Sequence, residues 1–396
     1  MILVRICVGL VWASAGPLLP FLIGEFGLGK GAASWYASSA PVAIAALALP
    51  IGIIGARYSL KMLFAVGAFL QAAGVFAPLC FNYELILLTR IMFAIGTAFT
   101  VPIATAILAE WFSPRELPFV NGVTISFVSL GNTVAFVATV PLATVLSWRA
   151  PIALYGAFAF TCAVAWLVFG KERKKPKPPI PGSAGPIAQP PGPGLRHVLT
   201  QRSTLVLALS VMAAWCLSNA MGSWLPTYYH DVFNLPLSTA SLITAIVTVT
   251  GILASISGGA LSMRIGRRRP FLILSGLLMG GCAMLSILVN NIAVIIVGVA
   301  LFGYFVNLQN AAIYTIPIEL SRGSSRTGAV VFSLMLVGGN LGNFLGPLIV
   351  GYGADITDSY LPGFIICAVI SLIVLVAGML LPETGPAGNR PKDRTD

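Results

Sequence analysis

The feature that most limits the folds open to this chain is a succession of apolar runs, each about 20 residues long. A run of that length crosses a hydrocarbon core of about 30 Å as an α-helix. Twelve can be traced, at roughly 3–24, 34–56, 62–80, 84–107, 118–146, 150–170, 204–228, 239–260, 271–289, 292–314, 328–350 and 360–381. Only 9% of the residues are charged and the mean hydropathy is +0.93, far from the roughly 25% charge of soluble domains. The alternating pattern of a membrane barrel is absent, so helices are the spanning form that remains. The first run starts at residue 3 without a small-residue cleavage site and reads as a retained span.

The chain also repeats at about half its length. Phe26–Ser34 (FGLGKGAAS) returns 207 positions later as Phe233–Ser241 (FNLPLSTAS). Arg57 matches Arg264 and Gly96 matches Gly303 at the same offset, while Gly16 matches Gly222 and Pro20 matches Pro226 at 206. Two similar membrane-embedded halves follow from this, an arrangement typical of secondary transporters.

The net charge of +11 would suit nucleic acid, but its distribution points to a membrane instead. With twelve spans both ends lie on one side, and that side receives 19 of the 23 Lys and Arg residues. Loops rich in Lys and Arg stay in the cytoplasm, so both termini are expected there, in an inner or plasma membrane. The six cysteines fall within or at the ends of spans, and free, buried thiols are expected.

The clearest boundary is 171–203, which opens with KERKKPK and continues as a proline-rich stretch. Its prolines preclude a regular helix and favour an extended linker. The expected organisation is a six-helix bundle at 1–170, a basic cytoplasmic linker at 171–203, a second bundle at 204–382 and a cytoplasmic tail at 383–396.

The loop after the second span of each half carries a motif. Gly259-Ala-Leu-Ser-Met-Arg264-Ile-Gly266-Arg267-Arg268 resembles the G-x-L-x-D-R-x-G-R-R loop of the major facilitator superfamily, and Gly52, Arg57 and Lys61 keep part of it in the first half. Both copies lack the aspartate, with Ala56 and Met263 in its place, which puts the family's outward-open latch in doubt. Arg90 and Gly96, AEWFSPRE (109–116), Trp148-Arg149 and Gly339–Pro347 resemble further elements of that superfamily, so the resemblance covers the whole chain. Within it, GPLLPFLIGEFGL (16–28), VPLATVLSWRAPIALYG (140–156) and SWLPTYYHDVFNL (223–235) look most like the cyanate and nitroimidazole permeases. Similar stretches occur in anion:cation symporters and nitrate/nitrite porters. The resemblance implies an all-α membrane protein of twelve transmembrane helices in two pseudo-symmetric bundles. It also implies a central cavity lined by spans one, four, seven and ten.

Transport needs a polar path, so charges and polar clusters inside spans are the candidate site. Arg90 stands seven residues into span four, about 10 Å deep at 1.5 Å per residue, with Thr97 and Thr100 on its face. It can bind a substrate anion bidentately or snorkel outward as support. Arg5, Val8, Trp12 and Gly16 share a face of span one. Arg5 reads as an interfacial anchor, and Trp12 either lines the pocket or packs. Span seven aligns Trp215, Ser218, Asn219 and Gly222, with Asn219 at the repeat position of Trp12. An amide there serves the substrate or a helix–helix bond. Span ten aligns Tyr304, Asn307, Asn310 and Tyr314 as a polar stripe, with Gln309 pointing away. Asn340 and Asn343 suit close packing in the Gly-rich part of span eleven.

None of the twelve acids lies at the centre of a span, so the usual proton carrier is missing. Proton coupling would then run through the substrate or through peripheral acids. The expected function is secondary transport of a small anionic solute by rocking of two halves. The alternative is an efflux pump for lipophilic or cationic compounds. No nucleophile elbow, phosphate loop or metal-ligand spacing supports an enzyme. The expected partners are a small-molecule substrate and the lipid bilayer, with a coupling ion as an open addition. The chain is expected to be a monomer, without cofactor and without nucleic acid.

Overall fold

The structure, a computed structural model, describes residues 1–55, 58–113, 116–171, 201–320 and 325–385. Arg57, most of the linker at 171–203 and the end of the tail at 383–396 lie outside the described residues.

The described chain is all helical and runs as twelve successive spans. Span one consists of Ile2–Ala13 and Ala15–Phe26, and spans two and three are Lys30–Gly55 and Leu60–Gln71, the latter continued by a 3-10 turn at Ala72–Leu79. Spans four, five and six are Tyr83–Trp111, Leu117–Val145 and Arg149–Phe169. Spans seven, eight and nine are Arg202–Phe233, Leu237–Ile265 and Arg269–Leu288. Span ten is split into Ile292–Leu308, Asn310–Ile313 and Ile316–Leu320, and spans eleven and twelve are Ser325–Thr357 and Leu361–Leu380. Nine described helices are long and apolar enough to cross a membrane by themselves, and the bent pair of span one makes ten.

Spans one and ten are not single unbroken helices. Span one bends by 44° at Ser14. Pro17 follows three residues later and has no N–H, so the carbonyl at Ala13 loses its helical donor there. Span ten breaks ahead of Pro317 for the same reason.

The repeat persists in the backbone. Gly27 and Asn234, at the same repeat position, both adopt left-handed conformations, with φ of 60° and 54°, and end the first span of their halves. Gly131 of span five packs on span one, where a Cβ would lie 2.3 Å from the Ile6 carbonyl oxygen. Its repeat partner Gly338 packs span eleven on span seven, with a Cβ 2.5 Å from the Ala208 carbonyl oxygen. Such small residues let membrane helices approach closely where water supplies no hydrophobic drive.

The halves meet through spans one and seven, two and eleven, and five and eight. At the far side, opposite the termini, they are closed. Ser34 of span two donates to the Pro347 carbonyl of span eleven at 2.9 Å, and Trp35 donates to the Tyr352 hydroxyl at 3.2 Å. In the middle, Thr133 of span five and Thr248 of span eight share a 2.7 Å hydrogen bond. All six cysteines are free thiols, five of them buried.

Candidate functional site

A cavity of about 130 Å³ with several polar side chains in its wall lies between the two halves. Trp12 and Gly16 of span one, Arg90 of span four and Asn132 of span five line it from one half. Ser218 and Asn219 of span seven, Thr244 and Thr248 of span eight and Asn343 of span eleven line it from the other. A larger crevice of about 460 Å³ sits on the terminal side between spans one, four and six. It lies within a single half and is lined almost wholly by apolar and aromatic side chains, so the central cavity is the candidate site.

Arg90 is buried, with 3% of its surface exposed. It does not snorkel. Its Nε donates to the Tyr36 carbonyl oxygen at 3.1 Å, one terminal nitrogen donates to the Val11 carbonyl oxygen, and the other to the Trp12 carbonyl oxygen at 3.0 Å. Val11 and Trp12 lie three and two residues before the bend at Ser14, so the guanidinium fastens the broken part of span one. Its carbon also lies 5.0 Å from the centre of the Tyr36 ring and 5.5 Å from that of Phe93, where the ring faces favour a cation. A guanidinium carries five N–H groups, and these bonds engage three of them.

Asn219 donates to the Asn343 carbonyl oxygen at 2.6 Å, so the helix–helix bond and the cavity position coexist. The Asn132 side-chain oxygen is buried and lacks a hydrogen-bond partner. Trp12, Arg90 and Asn219 are therefore brought together as the spacing indicated.

The other candidates are not. Thr97 and Thr100 turn away from the cavity toward span three, where the Gln71 amide donates to both at 3.2 and 2.7 Å. An amide in apolar surroundings recruits the nearest hydroxyls, and the Arg90–Thr97 stripe divides accordingly. Trp215 packs on span eleven, where a Cβ on Gly339 would come within 2.4 Å of its ring. The stripe on span ten faces span eight. Tyr304 shares a 3.1 Å hydrogen bond with Ser257, Asn307 lies against Gly251, and Asn310 donates to Asn307 at 3.1 Å. None of Thr97, Trp215, Tyr304, Asn307 and Asn310 is among the residues lining the central cavity.

Sequence reasoning missed Asn132 and gave Asn343 to close packing, whereas both line the cavity. Each follows a glycine, Gly131 or Gly342, that packs on a first span of a half. At these two pairs the glycine sits at the helix contact and the asparagine lines the cavity, whereas Asn340, after Gly339, bonds the Leu336 carbonyl and lies outside the lining. The recurrence of a Gly-Asn pair in spans five and eleven was the available signal, an incomplete one.

The loop motif behaves as an anchor. Gly266 ends span eight with φ of 64°. Arg268 donates to Glu319 near the end of span ten at 2.8 and 3.0 Å and also bonds Ser262. Thr384 donates to the second oxygen of Glu319 at 2.6 Å. Glu383 accepts from the Arg268 backbone at 2.6 Å. Arg269 donates to the Gly378 and Met379 carbonyls at the end of span twelve. Arg264 and Arg267 are exposed, as is Met263 where the family has its aspartate. Gly259 has open space around its Cβ position, and the Lys61 carbonyl accepts from Trp166.

The comparisons with known proteins agree with this architecture. The chain is 24% identical to a probable sulfoacetate transporter, SauU, of Cupriavidus necator, over 81% of this chain and 78% of the relative. It is 25% identical to the hexuronate transporter of Bacillus subtilis, over 82% and 80% of the two chains. It is 29% identical to a probable nitrate/nitrite antiporter, NarK1, of Thermus thermophilus, over 85% and 80%. Among solved structures, a bacterial homologue of the human lysosomal transporter Spinster, in an inward-facing and unoccupied conformation, superposes with a TM-score of 0.74 at 17% identity, covering 95% of this chain and 93% of that one. The family model of the Major Facilitator Superfamily matches residues 1–247 and 233–396. The chain belongs to the major facilitator superfamily and is a multi-pass membrane transporter, not an enzyme.

Proposed function

We propose that the protein carries a small anionic solute across the membrane by alternating access about the cavity between its halves. The observation behind this is the charge of the cavity. Arg90 is the one charged side chain in its described lining, and no carboxylate accompanies it. A guanidinium suits a carboxylate, sulfonate or nitrate-like oxyanion. Asn219, Ser218 and Trp12 supply neutral contacts around it. The volume of about 130 Å³ favours a small solute. The names of three relatives, for sulfoacetate, hexuronate and nitrate/nitrite, support an anion. A pump for cations would want an acid at this place, and the described lining offers none.

Rocking of the halves would exchange the far-side contacts between spans two and eleven for contacts at the terminal side. The bundles are assigned to 1–170 and 204–382, with the linker at 171–203 and the tail at 383–396 in the cytoplasm of a cell whose plasma membrane holds the protein. The charge asymmetry of the loops carries that orientation. The transporter works as a monomer.

The test is uptake of labelled sulfoacetate, a hexuronate and nitrate by proteoliposomes holding wild type or Arg90→Ala. Loss of an anion's uptake with the purified variant still folded supports the reading. Anion uptake that survives Arg90→Ala, together with lost resistance to a lipophilic cation, would sink it in favour of efflux.

A further inference from the structure

Span two begins without a cap of its own. The residue before Lys30 is Gly29, which has no side chain to accept from the first free N–H groups of the helix. The acceptor comes instead from the other half. Asp355, near the end of span eleven, accepts from the Lys30 backbone N–H at 2.8 Å with one oxygen and from the Gly31 N–H at 2.8 Å with the other. Gly29 is what admits the carboxylate, since a Cβ there would lie 2.8 Å from its oxygen. Gly31 likewise makes room for the ring of Tyr352, 2.4 Å from the Cβ position. The pseudo-symmetric position of Gly29 is Pro236, and that of Asp355 is Trp148, so the device exists in one copy only.

Lys30, Asp231, Glu25 and Arg149, charged groups at the same end, have other partners. The Lys30 ammonium sits 4.2 Å from the centre of the Tyr360 ring, not on the carboxylate. Tyr360 donates its hydroxyl to Asp231 at 2.6 Å. Burial and that bond raise the Tyr360 phenol above its usual range, so it stays a neutral donor. Glu25 is paired with Arg149 at 3.1 Å, and the His230 ring bonds the Leu235 carbonyl. Tyr352 is held by Trp35. Glu84 lies in the first turn of span four and Asp358 just past the end of span eleven. Among the described residues, Asp355 is the acid seen to bridge the two halves directly.

We propose that Asp355 is the proton-binding latch of the far-side gate, closing it when ionised and releasing it when protonated from that side. The inference rests on the alternating-access reading above. An ionised carboxylate at a helix N-terminus gains from charge-assisted bonds and from the helix dipole. Taking up one proton from the solvent removes the negative charge and turns one acceptor oxygen into a hydroxyl. Both cross-half bonds then weaken. The sign follows: the closed state is favoured at higher pH and loses ground as pH falls. A protein without a central acid in its spans would in this way still let a proton decide when one face opens.

The experiment reads the distance between spin labels on Phe81→Cys and Asn290→Cys, exposed far-side positions in different halves, with the protein in lipid nanodiscs. Between pH about 8 and about 3, a range that crosses ordinary carboxylate titration near about 4, the open-to-closed ratio should rise about tenfold, as expected for loss of charged hydrogen bonds. Asp355→Asn should be open-biased at pH about 8 and lose the pH step, while Asp231→Asn keeps it. A wild type whose distances ignore pH, or an Asp355→Asn variant with the wild-type step, overturns the proposal. A third arm adds sulfoacetate, hexuronate or nitrate. A gate that opens with an anion but not with acid sinks the latch alone. A gate that opens under no condition sinks alternating access itself.

Discussion

Gly16 and Gly222, repeat partners in the sequence, meet across the molecule. A Cβ on Gly16 would lie 2.3 Å from the Gly222 carbonyl oxygen, whereas a Cβ on Gly222 would meet nothing within 4 Å. The contact joins the first span of one half to that of the other, beside the cavity. It is symmetric in sequence and asymmetric in space.

Gly16→Ala is therefore expected to disfavour far-side closure by about 1–3 kcal/mol, the usual cost of overpacking. Gly222→Ala should leave it unchanged. Accessibility of a cavity cysteine, Ala37→Cys, to a membrane-impermeant maleimide added from the far side separates the two. Equal labelling in both variants would show that this glycine contact does not hold the gate.

Arg90→Lys keeps the charge but not the fork. An ammonium reaches fewer of the three carbonyls of Val11, Trp12 and Tyr36 that the guanidinium now satisfies. Stability should fall by about 1–3 kcal/mol, and anion uptake should fall with it. Thermal unfolding in detergent, with and without anion, measures both. A lysine variant as stable and as active as wild type would mean that the bend of span one needs no clamp.

Gln71→Ala removes the donor shared by Thr97 and Thr100. Because this cluster joins spans three and four away from the cavity, stability should drop by about 1 kcal/mol, the usual scale for hydrogen bonds between membrane helices. Anion affinity should stay within twofold of wild type, roughly the limit set by an uncoupled site. A larger change in affinity would return Thr97 to the substrate path.

The Arg268–Glu319 pair is partly buried, with side-chain exposures of 11% and 22%, and ties spans eight, ten and twelve together at the terminal side. A double-mutant cycle of Arg268→Ala and Glu319→Ala should give a coupling of about 1 kcal/mol, reduced by salt. A coupling near zero would leave helix capping by Arg269 as the sole anchor.

Much of the fold was legible in the chain because its causes are local. A run of apolar residues long enough to cross a bilayer must satisfy its backbone internally, and the helix is the result. The repeat of Phe26–Ser34 at Phe233–Ser241 reappears as paired left-handed ends at Gly27 and Asn234. The site was legible only in part. Trp12, Arg90 and Asn219 reach the cavity as helical spacing indicated. Thr97 shares the helical face of Arg90 yet faces Gln71, because a side chain is directed by its neighbours on other helices as well as by its own turn. The bend of span one and the break ahead of Pro317 also rotate residues that a straight helix would align.

The sequence by itself determined the class of molecule: membrane helices, two like halves and a lone intramembrane arginine in span four. Tertiary structure alone decided what that arginine holds, which amides meet it, and that Asp355 closes the far side onto a helix with no cap of its own. Those outcomes depend on contacts between residues hundreds of positions apart, such as Lys30 and Asp355, and only packing selects such partners.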